Sequence, residues 1–143
     1  MNGLAVKDIE FNGATLRAAQ DAVGKIWVGV RWICQGMGFD ENRIDNERKK
    51  MQKDIVVSKG VKFYSLGQDR AKSDVLCIDL DYLPLWLAKI SITPTMQKEN
   101  PDLVQKLITY QLKAKDVLAE AFLPKKEEIV PAQSNMIQLQ LPN

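Results

Sequence analysis

The stretch Cys77-Ile-Asp-Leu-Asp-Tyr-Leu-Pro-Leu-Trp-Leu-Ala-Lys-Ile90 carries the clearest structural pattern in this 143-residue chain. Its first residues predict a buried strand, and Asp81 is placed to cap a helix that follows at once. Pro84 lies in the first turn of that helix, where its missing N–H costs no hydrogen bond. The helix has an apolar stripe along one face, formed by Leu83, Leu87 and Ile90. We therefore predict a strand that leads directly into a helix, with Trp86 in the core.

Asp79 and Asp81 stand two residues apart in this stretch. If both lay in a strand, their carboxylates would point to the same face, as a metal site or an acid–base pair requires. The favoured interpretation is structural: Asp81 caps the helix, and Asp79 faces solvent on the side opposite Ile78 and Leu80. Under this interpretation the stretch identifies the fold and holds no catalytic group.

The residues before this stretch show turn signals between short extended segments. Asn12-Gly13 follows an extended segment at 9–11, and Asn-Gly is the strongest short-range signal for a hairpin. A second turn over residues 21–25 leads to a third strand at 26–28. A short helix then ends at Gly38, which is placed as a left-handed residue after its last turn. The apolar face of this helix is formed by Val30, Ile33, Cys34 and Met37.

A strongly charged helix is predicted in the middle of the chain. Asp40 is placed to cap it, and it covers residues 41–53 with few apolar positions. Residues 55–57 indicate a brief extended segment. Residues 61–66 and 74–80 predict two strands, and the polar link between them indicates a β-hairpin with a longer loop.

A long helix is predicted near the C-terminus. Thr93-Pro94 indicates a chain break, after which Asn100 is placed as the cap and Pro101 as the first residue of a helix that runs to about Phe122. Its apolar residues form a heptad-like seam made of Leu103, Leu107, Tyr110, Ala114, Val117 and Ala121. This seam can cover the domain's own sheet or pair with another copy. We expect both uses together, and hence a homo-oligomer, either a dimer or a larger assembly.

These elements predict the fold class α+β: a small, mainly antiparallel sheet with short helices and a long C-terminal helix. The predicted domain covers residues 1–123, and residues 124–143 are predicted to form a linker and a tail. Positions 136–141 alternate between apolar and polar residues. This segment could add a strand to the edge of a sheet, or it could equally be disordered.

The composition excludes several kinds of chemistry. The chain has no histidine, which removes histidine-based acid–base catalysis and imidazole zinc sites. Cys34 and Cys77 are its only cysteines, and their apolar neighbours predict buried, reduced thiols. The expectation is a protein with no enzymatic activity, no cofactor and no metal. No apolar run could span a membrane and no signal peptide is recognisable, so the expected localisation is cytoplasmic.

The charged helix is the best candidate for a partner surface. Its cations are Arg43, Arg48, Lys49, Lys50 and Lys53. Such cations favour nucleic acid because each phosphate contact releases counterions. However, acidic residues are interleaved with them, and the net charge of the whole chain is only +2. Three interpretations stay open: a solvated face, which is favoured, a nucleic-acid contact, and a protein contact.

Residues 7–123 resemble the N-terminal domain family of phage antirepressors, which is related to BRO-N domains. The most specific segment is Leu83-Pro-Leu-Trp-Leu-Ala-Lys-Ile90. The other matching segments occur in the family's order. They are Ile9-Glu-Phe-Asn-Gly13, Ile26-Trp-Val-Gly-Val30, Trp32-Ile-Cys-Gln-Gly-Met-Gly38, Leu76-Cys-Ile-Asp-Leu80, Asn100-Pro101, Lys106-Leu107, Tyr110-Gln111 and Asp116-Val-Leu118.

The resemblance implies a regulatory protein of a phage or prophage. Antirepressors of this family bind a phage repressor and stop it from holding its operators, which moves the lysis–lysogeny switch towards lytic gene expression. Because BRO-N relatives are DNA-binding, the alternative is a DNA-binding regulatory module that uses the helix 41–53. Neither role requires a catalytic residue.

Overall fold

The computed structural model describes residues 4–66 and 74–123. Within them the chain forms one five-stranded sheet. The strands are β1 (Ala5–Phe11), β2 (Ala14–Gln20), β3 (Ile26–Gly29), β4 (Val61–Tyr64) and β5 (Val75–Asp79). They lie in the spatial order β1-β2-β3-β5-β4, and every neighbouring pair is antiparallel. The predicted strands at 61–66 and 74–80 are confirmed as the antiparallel pair β4–β5.

Short helices and one long helix accompany the sheet. They are α1 (Val30–Met37), α2 (Glu41–Lys53), α3 (Leu83–Lys89), α4 (Pro94–Glu99) and α5 (Pro101–Ala121). Two short 3-10 helices, Val57–Gly60 and Leu80–Tyr82, precede β4 and α3. The predicted α+β class is therefore confirmed, with the long helix near the C-terminus.

Both predicted turns in the first part of the chain are present. Asn12 has φ 52° and Gly13 has φ 82°, the left-handed pair that a tight two-residue hairpin needs. In the second turn, Asp21 Oδ1 accepts hydrogen bonds from the backbone N–H groups of Val23, at 3.1 Å, and Lys25, at 2.9 Å. These local interactions join β1, β2 and β3 into a meander.

The predicted ends of α1 and α2 are also confirmed. Gly38 has φ 94°, which is readily adopted only by glycine, and Phe39 N–H then donates to Cys34 O at 3.0 Å. Asp40 Oδ1 accepts the backbone N–H of Arg43 at 2.8 Å and so caps α2. The chain therefore leaves α1 and enters α2 within three residues.

The main core lies between one face of the sheet and the helices α1 and α5. Leu16, Val28 and Ile78 project from the sheet, and Ile33 and Met37 from α1, all fully buried. Each buried side chain of this size contributes roughly 1.5–3 kcal/mol relative to leaving it exposed. Several α5 residues complete this core, namely Leu107, Tyr110, Ala114 and Leu118.

The junction between β5 and α3 differs from its prediction. Asp79, expected to face solvent, is only 5 % exposed; its Oδ1 accepts the backbone N–H of Asp81 at 2.9 Å, and its Oδ2 lies 3.4 Å from Lys25 Nζ. Asp81, expected to be the cap, has an exposed side chain. The physical reason is that one turn of 3-10 helix separates the strand from α3. The capping carboxylate therefore belongs to the aspartate two residues earlier.

Two smaller predictions about helix ends and extended segments were wrong, and a third is confirmed only for its position. Residues 55–57 are not extended, because Asp54 Oδ1 accepts the N–H groups of Val56 and Val57, each at 2.9 Å, and folds them into a turn. Thr93-Pro94 begins α4, with Thr93 Oγ1 accepting Met96 N–H at 3.1 Å. Asn100 contributes no side-chain cap to α5, although it precedes the helix as expected.

Candidate functional site

The charged helix α2 is held to the domain by an unusual stripe. Ile44 and Met51 are buried, as the sequence suggests, but Glu47 lies between them on the same face and is only 2 % exposed. Glu47 is three residues from Ile44 and four from Met51, the spacing of one helical face. Sequence reasoning missed it as a buried group because it was grouped with the other acids of the helix. Its place on the apolar stripe was the available signal.

The Glu47 carboxylate is satisfied by three donors. Trp86 Nε1–H donates to Oε1 at 3.2 Å, and Arg43 Nε and Lys50 Nζ contact Oε2 at 3.4 Å and 3.0 Å. A buried carboxylate is tolerated only when it is paired and hydrogen-bonded, since desolvation costs several kcal/mol per ion. The indole of α3 and the cations of α2 therefore meet at one buried anion.

The structure places all five predicted contact residues on α2, but most of them are already paired. Arg43 and Lys50 contact Glu47. Arg48 and Lys49 both pair with Asp45, at 3.3 Å and 3.2 Å, and the hydrogen bond from Lys49 lowers the pKa of Asp45. Four of the five cations thus form ion pairs within their own helix. Lys53, at the end of α2, has no ion pair with the other described residues.

A cavity of about 320 Å³ lies between α2 and α3. Its base is formed by Met51, Val57, Trp86 and Glu47, which are each no more than 2 % exposed. The remaining lining residues are Lys50, Asp54 and Lys89. The cavity is therefore amphipathic, with exposed lysines around a base of buried side chains.

A turn after α2 forms one side of this cavity. Asp54 Oδ2 lies 3.0 Å from Lys89 Nζ, which ties the turn to α3. Hydrogen bonds from Val57 N–H, Lys89 and Val56 N–H lower the pKa of Asp54 to about 2. Ile55 and Val56 lie between the two lining residues Asp54 and Val57, and they are 81 % and 45 % exposed. Sequence reasoning did not predict this exposed apolar pair, because the segment was expected to form a strand.

Comparison with known families identifies the domain. A model of the P22_AR N-terminal domain matches residues 7–128, which is most of the chain. This chain belongs to the P22_AR N-terminal domain family. The match confirms the resemblance to the N-terminal domains of phage antirepressors. No curated protein and no solved structure matches the chain.

In this P22_AR N-terminal domain the predicted seam of α5 packs inward. Leu107, Tyr110 and Ala114 are fully buried in the domain. Leu103, Val117 and Ala121 are partly buried and pack against the same core. The seam therefore covers the domain's own sheet, which was one of its two predicted uses. Leu112, on the other side of α5, is 72 % exposed.

The two thiols of the P22_AR N-terminal domain are free and buried. Burial raises the pKa of both Cys34 and Cys77 to about 12, so both are protonated near neutral pH and are poor nucleophiles.

Across residues 4–66 and 74–123, no cluster of three or more potential metal ligands occurs. None of the helices in the described part of the chain could cross a membrane. The predicted tail at 124–143 lies outside the described residues.

Proposed function

We propose that this protein is a phage or prophage antirepressor that binds a phage repressor and prevents it from occupying operator DNA. Membership of the P22_AR N-terminal domain family supports this role. The physical mechanism is mass action: a protein that binds only the DNA-free repressor draws it away from its operators. The role is regulatory and requires no enzymatic step, cofactor or metal.

The observation that best supports a protein partner is the pairing of charges along α2. Four of its five cations already contact Asp45 or Glu47. A phosphate backbone is bound through cations that release counterions, and cations already held by carboxylates contribute less to that term. Protein interfaces, by contrast, combine apolar contacts with mixed polar groups. The amphipathic cavity beside α2 has that character.

The alternative is a BRO-N-like DNA-binding module that uses α2. The clustering of Arg43, Arg48, Lys49, Lys50 and Lys53 on one helix favours it. In this case DNA affinity would fall steeply with salt, because several phosphates would be contacted at once. The balance of cations and acids along α2 makes this the second candidate.

An operator mobility-shift assay with the cognate repressor tests the proposal. We expect the full chain, added in excess, to release the operator from the repressor, while operator mixed with this protein alone migrates as free DNA. A protein without antirepressor activity would leave the repressor–operator band intact at every concentration. A shift caused by this protein alone would instead favour the DNA-binding alternative.

A further inference from the structure

The turn beside the α2–α3 cavity presents an apolar side chain from a fixed backbone. Asp54 accepts two backbone N–H groups of this turn and also pairs with Lys89. Ile55, at the tip, is 81 % exposed although it is a branched apolar residue. A side chain on a backbone that is already held in one conformation loses little entropy on binding, so it is suited to be an anchor.

The charges around this cavity are arranged in layers. The side chains of the anions Glu47 and Asp54 are 2 % and 24 % exposed, whereas those of Lys50 and Lys89 are 65 % and 47 % exposed. An approaching molecule therefore meets ammonium groups first. An ammonium group has three N–H donors. Because Lys50 and Lys89 each have one ion pair here, each can accept a second carboxylate without losing the first.

We propose that the cavity between α2 and α3, together with the exposed pair Ile55 and Val56, binds a protein segment in which an apolar side chain is flanked by carboxylates. We name this region the α2–α3 groove. The apolar side chain packs on Ile55 and Val56 at the rim of the cavity, and the flanking carboxylates pair with Lys50 and Lys89. The inference rests on the proposed function and deepens it, because it assigns the surface that holds the repressor and the chemistry of the segment that is held.

Other occupants fit the groove less well. Glu47 already accepts from Trp86, Arg43 and Lys50, so it has little capacity left for a metal or for a ligand ammonium group. A volume of about 320 Å³ is at the lower end of the range for small-molecule sites, which disfavours a cofactor. Nucleic acid would meet only two lysines here, with the acids Glu47 and Asp54 and the exposed apolar Ile55 beside them, whereas binding along a phosphate backbone needs several cations.

Selection from a displayed library of random 12-residue peptides tests the proposal, with the immobilised full chain as bait. We expect enriched peptides to share an apolar residue flanked by Asp or Glu. Their synthetic versions, measured by fluorescence anisotropy, should bind Ile55→Glu about tenfold or more weakly than the unmodified chain. The double variant Lys50→Glu, Lys89→Glu, which reverses both charges, should lose a similar amount of affinity for these peptides.

Two matched variants control for general effects on the surface. Val23→Glu changes an apolar residue that is 85 % exposed in the turn between β2 and β3, and Lys113→Glu reverses an exposed cation on α5. Both should bind the selected peptides within about twofold of the unmodified chain. Circular dichroism checks that each variant is folded. Ile55 is exposed, so its replacement leaves the core packing intact.

The outcomes are distinguishable. No enriched peptide, enrichment of basic peptides, or equal binding by Ile55→Glu would overturn the assignment of the groove. Binding of duplex DNA that is lost with Lys50→Glu and Lys89→Glu, without peptide binding, would overturn it in favour of nucleic acid. If acidic apolar peptides bind in the groove but the repressor–operator band stays intact, the groove is supported and the antirepressor role fails.

Discussion

Glu47 on α2 accepts a buried hydrogen bond at 3.2 Å from the indole of Trp86 on α3, across 39 positions of sequence. The bond joins the charged helix to the segment that most resembles the antirepressor family. It also forms part of the cavity between the two helices. The geometry of the proposed groove therefore depends on one buried carboxylate and one indole N–H.

Trp86→Phe tests this link. The substitution removes the donor to Glu47 Oε1 and leaves a buried charged acceptor less well satisfied. We expect the free energy of unfolding to fall by about 1–3 kcal/mol, in addition to the loss caused by the smaller ring. Urea denaturation followed by circular dichroism measures it.

A double-mutant cycle with Glu47→Ala, which removes the acceptor, separates these two contributions, since the ring-size effect cancels in the coupling energy. Glu41→Ala is the matched control, because Glu41 is an exposed acid of the same helix whose ion pair among the described residues is with Arg31. It should have little effect on stability. A coupling energy of zero between positions 47 and 86 would contradict the assigned role of the bond.

Gly36→Ala tests the packing of α5 on α1. An added Cβ at Gly36 would lie 2.0 Å from the hydroxyl of Tyr110, which is buried and has no hydrogen-bond partner among the described residues. Overpacking of this kind costs about 1–3 kcal/mol, which exceeds the gain in helix propensity of about 1 kcal/mol. We expect a net loss of stability in urea denaturation.

Tyr110→Phe should rescue part of that loss. It removes the hydroxyl group, which clashes with the added Cβ and which is buried without a hydrogen bond to compensate its desolvation. Alone, it should leave the stability unchanged or raise it, while retaining the edge-to-face contact with Phe11 at 4.8 Å between ring centroids. Strictly additive effects of Gly36→Ala and Tyr110→Phe would show that the two positions are not in contact.

Asp54 should make stability depend on pH in the acidic range. Its pKa is lowered from 3.8 to about 2 in the folded protein. A carboxyl group whose folded pKa is below its unfolded pKa stabilises the fold above the unfolded value. That contribution is lost as pH falls from about 4 towards about 2. We expect Asp54→Asn to be less stable than the unmodified chain at pH 6, with a difference that shrinks towards pH 2.

Urea denaturation at several pH values measures this difference. Asp45→Asn is a suitable comparison, because the pKa of Asp45 is also lowered but this residue pairs with Arg48 and Lys49 within α2 and does not hold the turn. Only Asp54→Asn should also weaken binding in the α2–α3 groove. A stability gap that stays constant from pH 6 to pH 2 would rule out the assigned pairing of Asp54.

The triple substitution Arg48→Ala, Lys49→Ala and Lys50→Ala tests the nucleic-acid alternative. These cations are paired with Asp45 and Glu47, so we expect little affinity for duplex DNA at about 50 mM salt, and little change in the triple variant. Anisotropy of labelled duplex DNA across a salt series provides the measurement. Strong binding by the unmodified chain that disappears in the triple variant would support the BRO-N-like role.

Homo-oligomerisation stays a prediction, and the structure changes how it should be tested. Removal of residues 101–143 would delete Leu107 and Tyr110, which are fully buried in the core, and would unfold the domain. Leu112→Glu is better, because Leu112 is 72 % exposed on the outer side of α5. We expect light scattering to give a mass above 16.2 kDa for the unmodified chain and a lower mass for this variant. A monomer in both samples would exclude self-association.

Much of the fold could be predicted from the sequence because its signals are local. Asn12-Gly13 specifies a turn, Asp40 a helix start and Gly38 a helix end, and each acts through bonds within a few residues. The periodicity of α5 indicated a long amphipathic helix in the same way. Predictions were wrong where two local signals competed. Asp79 and Asp81 could each cap the following residues, and Thr93-Pro94 could either end or begin a helix.

The candidate site was harder to predict, because its members are brought together from distant parts of the chain. The sequence identified the cations of α2 and the family, since both depend on residue type and order. It could not show that Glu47 is buried against Trp86, or that Asp54 holds the turn with the exposed Ile55 and also pairs with Lys89. Residue types and short spacings determine helices, turns and charge. Burial and ion pairing depend on which elements pack together. The groove exists only because α2 packs beside α3, which are far apart in the sequence.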